Sequence, residues 1–180
     1  MTIDLAGEIS ILTGPPGSGK TTTAQALAGE PGSPKVHLHA DDFWRCIRHG
    51  VIAPYLPEAR EQNRVVIDVL AKAAEGYAKG GYLVVVDGII GPWFLQPFAA
   101  LTVPVHYVVL RPPLDVAIER CRERGGETLT DPEPITALYR QLASLGELER
   151  HVLRTDGLSP QETLGAVVEA LHAGTFRLSA

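Results

Sequence analysis

Gly14-Pro15-Pro16-Gly17-Ser18-Gly19-Lys20-Thr21 carries the spacing GxxxxGK[ST]. Before it, Glu8-Ile9-Ser10-Ile11-Leu12-Thr13 reads as a short buried strand, and after it Lys20 to Ala28 reads as a helix entered directly from the glycine-rich turn. In that setting backbone N–H groups, a helix N-terminus and a lysine converge on one point, which suits phosphates. Gly14, Gly17 and Gly19 let the backbone bend closely around an anion, Lys20 is expected to reach the β- and γ-phosphates of a nucleotide, and the Thr21 hydroxyl to bind Mg²⁺. The expected nucleotide contacts are Gly14, Pro15, Pro16, Gly17, Ser18, Gly19, Lys20, Thr21 and Thr22. A chance glycine-rich turn would not need all eight positions together with the strand and the helix.

Outward from the loop, Pro31-Gly32-Ser33-Pro34 closes the first unit, and Val36 to Ala40 alternates apolar residues with histidines as a half-exposed strand would. That strand delivers Asp41 and Asp42 at its C-terminal end. Pro57 to Lys79 has helical spacing, with Val66, Val69, Leu70 and Ala73 on one stripe, and stops at Gly80-Gly81. Tyr82 to Val86 is the most hydrophobic strand and ends in Asp87-Gly88. Val105 to Leu110 predicts a fourth strand, followed by a helix from about Pro113 to Arg124 with Gly125-Gly126 as its stop. A further helix is expected over Pro134 to Leu148, and a short last strand over His151 to Thr155. Ser159-Pro160-Gln161-Glu162 is a capping box opening a final helix that runs to about His172. Strands alternating with helices imply an α/β fold: a parallel sheet with helices on both faces, binding its ligands at the C-terminal ends of the strands.

A chain of 180 residues, 45% of them hydrophobic, suits one well-cored domain spanning 1–180 and is short for two. The apolar runs are strand-length, far from the roughly 20 residues of a membrane helix. The N-terminal Met1-Thr2-Ile3-Asp4-Leu5 carries an acid where a secretory signal carries Lys or Arg, so a cytoplasmic location is expected. Two cysteines, Cys46 and Cys121, form no disulfide framework. A net charge of −5 provides no broad positive field for a polyanion, which argues against nucleic acid as a partner and favours a small molecule. Oligomeric state has no signature in the sequence.

Beside the phosphate loop, other residues acquire roles. Asp87, ending an apolar strand, sits where an acid would help to hold Mg²⁺. Of the two acids after the second strand, Asp41 is read as the group that orients or deprotonates an acceptor hydroxyl, against a purely capping pair. Arg120 and Arg124, four apart on one helix face, are read as part of a mobile lid for a transferring phosphoryl group; the alternative is a solvated helix laced with Glu119 and Glu123. His37 and His39 share a strand face but lack a third ligand at suitable spacing, and are read as structural. Trp93, Phe94 and Phe98 line either an acceptor pocket or the core.

Together these features resemble the small P-loop kinases: gluconate kinase, shikimate kinase, chloramphenicol phosphotransferase and the kinase domain of polynucleotide kinase. Ala40-Asp41-Asp42-Phe43 is similar to the acceptor-side motif of the last two, whose first acid is the base, which implies Asp41. Leu110-Arg111 followed by Ile118-Glu119-Arg120-Cys121-Arg122-Glu123-Arg124-Gly125 resembles the fourth strand and lid of gluconate kinase, implying Arg120 against adenine and Arg124 on phosphate. That enzyme has no acid in the place of Asp87, and a His-Phe pair replaces Gly126-Glu127. The DDxW and DGxx elements also resemble uncharacterised P-loop NTPase and AAA-like proteins. The resemblance implies a P-loop NTPase three-layer sandwich, with a five-stranded parallel sheet in order 2-3-1-4-5 and a small lid.

The function expected is an ATP-dependent phosphotransferase that moves the γ-phosphoryl group to a hydroxyl of a metabolite or antibiotic, with Mg²⁺. Lys20, Asp41 and Arg124 are its candidate catalytic residues, and Thr21 and Asp87 its candidate metal residues. A polynucleotide 5′-kinase shares the Asp motif but needs a basic channel. A nucleotide-binding switch with slow hydrolysis needs a water-positioning residue that the sequence does not offer.

Overall fold

The computed structural model describes residues 2–125 and 130–178, so Gly126 and Glu127 of the expected lid lie outside the described residues. Strands β1 (Ile9–Thr13), β2 (Lys35–His39), β3 (Leu83–Asp87), β4 (Val105–Arg111) and β5 (Val152–Arg154) form one sheet in the order β2-β3-β1-β4-β5. Every neighbouring pair is parallel, as expected. The helices are α1 (Lys20–Gly29), α2 (Ala40–Arg45), α3 (Arg60–Lys79), α4 (Gln96–Ala99), α5 (Leu114–Arg124), α6 (Pro132–Gln141) and α7 (Pro160–Ala173).

The central strands read as continuous apolar runs because both their faces are covered. Ile9, Ile11, Val84, Val86, Tyr107 and Val109 point into a core shared with Ile67, Leu70 and Ala74 of α3 and Phe98 of α4. Their alternates, Leu12, Leu83, Val85, Val108 and Leu110, meet Ala24 and Leu27 of α1 and Leu164, Val167 and Leu171 of α7. Truncating one such buried leucine to alanine costs about 2–5 kcal/mol. The Ser159–Glu162 capping box, formed as expected, is worth about 1 kcal/mol. The two cores therefore hold the strand ends in place far more than the caps do.

Three local expectations change. The buried face of α3 carries Val66, Ile67, Leu70, Ala71, Ala74 and Ala78, whereas Val69 is 51% exposed. The stripe begins at Asn63, a polar residue that apolar spacing does not count; its amide is satisfied by Trp44 and by the Pro54 carbonyl. The helix expected over Pro134 to Leu148 starts at Pro132, where Asp131 caps the Glu133 N–H, and ends at Gln141. A 3₁₀ turn, Gly146–His151, covers the remainder after Gly146 takes a positive φ of 58°. Ala40 opens α2 instead of ending β2, so the two acids stand on the first turn of a helix. Among the described residues no helix is long and apolar enough to cross a membrane.

Candidate functional site

The phosphate loop leaves β1 at Thr13 and re-enters secondary structure at Lys20, wedged between the end of β4 and α5. A Cβ on Gly14 would lie 2.2 Å from the Leu110 carbonyl oxygen, and one on Gly17 2.1 Å from that of Ala117. Both also have positive φ, 149° and 76°, so space and backbone conformation each exclude a side chain there. On the loop's other side a Cβ at Gly19 would meet nothing within 4 Å. This open side is the N-terminus of α1, which has no side-chain cap and no acid in its first turn, whereas α6 and α7 are capped by Asp131 and Ser159. Ser18, 2% exposed, keeps a hydroxyl with no partner among the described residues.

Uncapped N–H groups, a buried unpaired hydroxyl and a dipole end fit a bound polyphosphate. Lys20 lies along this cradle, its Nζ donating a long 3.4 Å hydrogen bond to the Pro15 carbonyl. Burial lowers its pKa, Asp87 and Asp41 act in the opposite sense, and Arg124 adds to the lowering. The ammonium is thus short of the solvation that phosphate oxygens would supply. Thr22 is exposed on the first turn of α1.

Asp87 closes the cradle from β3. Its carboxylate, wholly buried, accepts from the Thr21 hydroxyl at 2.6 Å, from His37 Nε2 at 2.7 Å and from His39 Nδ1 at 3.0 Å. Burial pushes this carboxyl up, but the three donors together outweigh it and hold it below the ordinary value. The reason is register: β2 pairs with β3 so that His39 stands beside Asp87 and His37 beside Val85, one pleat back on the same face. The two histidines therefore belong to the site as donors to Asp87, a correction to their reading as ordinary structural residues. The Thr21 hydroxyl and the Asp87 carboxylate are hard oxygen donors at the rim of the phosphate cradle, which fits a magnesium ion that takes its other ligands from phosphate and water. Among the described residues no group of three His, Cys, Asp or Glu side chains is arranged to hold a metal by itself.

The two acids of α2 diverge. Asp42 is tied to Arg45 at 2.8 Å on the outer surface. Asp41, 65% exposed, has an oxygen 3.5 Å from His39 Nε2 and lines a cleft of about 1140 Å³. That cleft is walled by Trp44 of α2, the Pro54-Tyr55 turn, the start of α3, Trp93 and Phe94 after β3, and Leu138 of α6. Trp93 and Phe94 thus face the cleft, and Phe98 is core. Gln62 holds both the N–H and the carbonyl of Ile52, at 2.8 and 2.7 Å, and Asn63 holds Trp44, so α3 braces two walls at once.

On α5, Arg124 acts electrostatically on Lys20 and on Cys121, which places it beside the phosphate loop. Arg120 is half-buried, and neither arginine forms an ion pair with Glu119 or Glu123 among the described residues. At the end of β4 the buried Arg111 donates to the carbonyls of Leu142 and Ala143, both at 2.9 Å, and pairs with Glu149. Sequence reading assigned Arg111, Asn63 and the two histidines no such roles. The histidines were recoverable from the expected 2-3-1-4-5 order, which sets β2 against β3. The partners of Arg111 lie more than thirty residues away and left no local signal.

The sequence matches the family described as AAA domain over residues 9–148. No curated protein matches it in sequence. Among solved structures, a sugar kinase from Janibacter sp. HTCC2649 superposes with a TM-score of 0.68 at 21% identity, covering 92% of this chain and 94% of that one. The tunicamycin resistance protein of Deinococcus radiodurans gives 0.64 at 22% identity over 96% and 99% of the two chains. Shikimate kinase from Acinetobacter baumannii, in complex with shikimate, gives 0.62 at 19% identity over 93% of each. The chain belongs to the AAA domain family, and its fold is that of the small P-loop kinases.

Proposed function

We propose that the chain is an ATP-dependent phosphotransferase that moves the γ-phosphoryl group of ATP to a hydroxyl of a small molecule in the cytoplasm. One observation carries this reading: the cleft and the phosphate loop meet at Asp41, which lines the first and acts electrostatically on Lys20 of the second. A nucleotide-binding switch has no use for a cleft of this size opening beside the γ-phosphate position. The fold's likeness to a sugar kinase and a shikimate kinase agrees with the reading.

In this mechanism the loop N–H groups and Lys20 hold the β- and γ-phosphates, Arg120 contacts the nucleotide, and Arg124 adds positive charge where it develops on the transferring group. Magnesium, held through Thr21 and Asp87, would neutralise phosphate charge. Asp41 orients the acceptor hydroxyl and takes its proton as the oxygen bonds to the γ-phosphorus. The bond from that phosphorus to the bridging oxygen breaks, leaving ADP. The test is ADP formation with ATP and Mg²⁺, with and without a pooled library of hydroxylated metabolites and antibiotics. Stimulation by the pool is expected, and a rate indifferent to every pool would sink the phosphotransferase reading in favour of slow hydrolysis.

A further inference from the structure

The cleft beside Asp41 has a composition that narrows the acceptor. Trp44, Phe94 and Trp93 form a continuous aromatic wall, with ring centroids 6.4 Å apart for the first pair and 6.1 Å for the second. The wall is held in place. Trp44 Nε1 donates to Asn63 Oδ1 at 2.8 Å, and the Trp93 ring lies over Gly91, where a Cβ would come within 2.4 Å of the indole. Even so, Trp93 stays 48% exposed, and Tyr55 across the cleft is 83% exposed. Large rings left open to water around a concavity are unusual in a monomer's surface and mark a ligand face.

Charge supplies the second constraint. The ionisable lining is Asp41, Glu58 and Glu61 against Arg60 and Arg64, and Arg64 is already bound to Glu61 and Asp68. Arg60 alone has no carboxylate partner among the described residues, and Asp41 and Glu58 oppose it within the same cleft. Such a lining gives no net attraction to an anion, and a polyanion lying along the cleft would face the Asp41 and Glu58 carboxylates.

We propose that the acceptor is an uncharged or cationic alcohol carrying a flat apolar ring, which rests on the Trp44–Phe94–Trp93 wall while its hydroxyl reaches Asp41. This deepens the phosphotransferase reading and rests on it for the site's role. It separates the chain from enzymes whose acceptors are sugar acids or nucleic-acid ends, since both bring negative charge into the cleft.

The chain has two tryptophans, Trp44 and Trp93, and both line the cleft, so intrinsic fluorescence reports on it directly. The experiment titrates four probes: phenyl β-glucoside, glucose, gluconate and a 5′-hydroxyl oligonucleotide. Phenyl β-glucoside is expected to shift the emission at a concentration at least about tenfold below glucose, because stacking on one aromatic ring is worth roughly that factor or more. Gluconate and the oligonucleotide are expected to leave it unchanged. Trp93→Ala removes the ring, and Gly91→Ala displaces it while keeping both fluorophores; each should weaken the glucoside about tenfold. Tighter response to gluconate or to the oligonucleotide overturns the proposal, as does a glucoside no better than glucose or one indifferent to both substitutions. Ring-dependent binding without phosphoryl transfer from ATP to the glucoside or to any pooled hydroxylated compound would keep the aromatic wall as a ligand face, remove the phosphotransferase reading and, with it, the ligand's role as acceptor. Transfer to gluconate or to the oligonucleotide would do the reverse.

Discussion

On the phosphate side of the site the contacts come from consecutive residues, Gly14 to Thr21, and mostly from their backbone. On the acceptor side the cleft is lined by residues from four separated segments. Backbone N–H groups are the same whatever the sequence, so the first half is specified by where the chain can bend, and Gly14 and Gly17 sit where no side chain fits. The second half is specified by which rings and charges the walls present, and those vary without disturbing the sheet. A fold of this kind can thus keep one donor half and change the molecule it modifies.

The largest effect is expected on the acceptor side. Asp41→Asn should lower transfer to an identified acceptor by about 10²–10⁴-fold while ATP still binds, the usual worth of general-base assistance. Asp42→Asn should do far less, because Asp42 is tied to Arg45. Steady-state kinetics with both variants decides it, and a sensitive Asp42 would move the base role by one residue.

On the phosphate side, Lys20→Ala should reduce kcat/KM by about 10²–10³-fold, the scale of losing one donor to developing charge. Circular dichroism should stay native, since Lys20 is only half-buried at the mouth of the loop. Unchanged turnover would remove the loop from the mechanism.

The lid ranks next. Arg124→Ala should lower kcat about 10–100-fold, the worth of a charged hydrogen bond. Arg120→Ala should chiefly weaken nucleotide binding, read as a raised KM for ATP. Equal and negligible effects would return both residues to a solvated helix.

The smallest effect concerns Asp87, where the two sides join through His39. Its carboxyl is held below the ordinary value in the folded chain, so its stabilisation is fully present above the unfolded value of about 3.9 and is lost as pH falls through the folded one. The urea midpoint should therefore fall on acidification from about pH 5 to about pH 3, and less steeply in Asp87→Asn. Parallel curves for the two proteins would mean that the His37, His39 and Thr21 donors do not favour the charged form.

The same contrast explains what the sequence disclosed. The glycine-rich turn between strand and helix and the final capping box are local patterns, the strand order was implied by the family resemblance, and all three stand in the structure. Asp87 was legible as a strand-end acid, and Asp41 as an acid just after the second strand, although it stands on the first turn of α2. What their side chains touch was not, because His37 and His39 reach Asp87 only once β2 and β3 are in register. Asn63 was hidden for a similar reason: a polar residue on an apolar stripe is visible only when Trp44 and Pro54 arrive from elsewhere to satisfy it. The ambiguity over Trp93, Phe94 and Phe98 had no local solution either. They lie within six residues of one another and divide between cleft and core according to which way a 3₁₀ turn and a four-residue helix happen to face.

Arg111 bears on how such a chain can diversify. It binds the carbonyls just beyond α6 from a position three residues before α5, and Tyr139 reinforces the closure by donating to the Pro112 carbonyl at 2.8 Å. The α5–α6 excursion is therefore a handle whose two ends are riveted to one point on the sheet's rim. Lengthening a closed excursion costs only about 0.6 kcal/mol per doubling, so insertions between those rivets leave the barrel of the handle free to grow. A grafted or evolved excursion could then change its reach without asking the rest of the chain to refold.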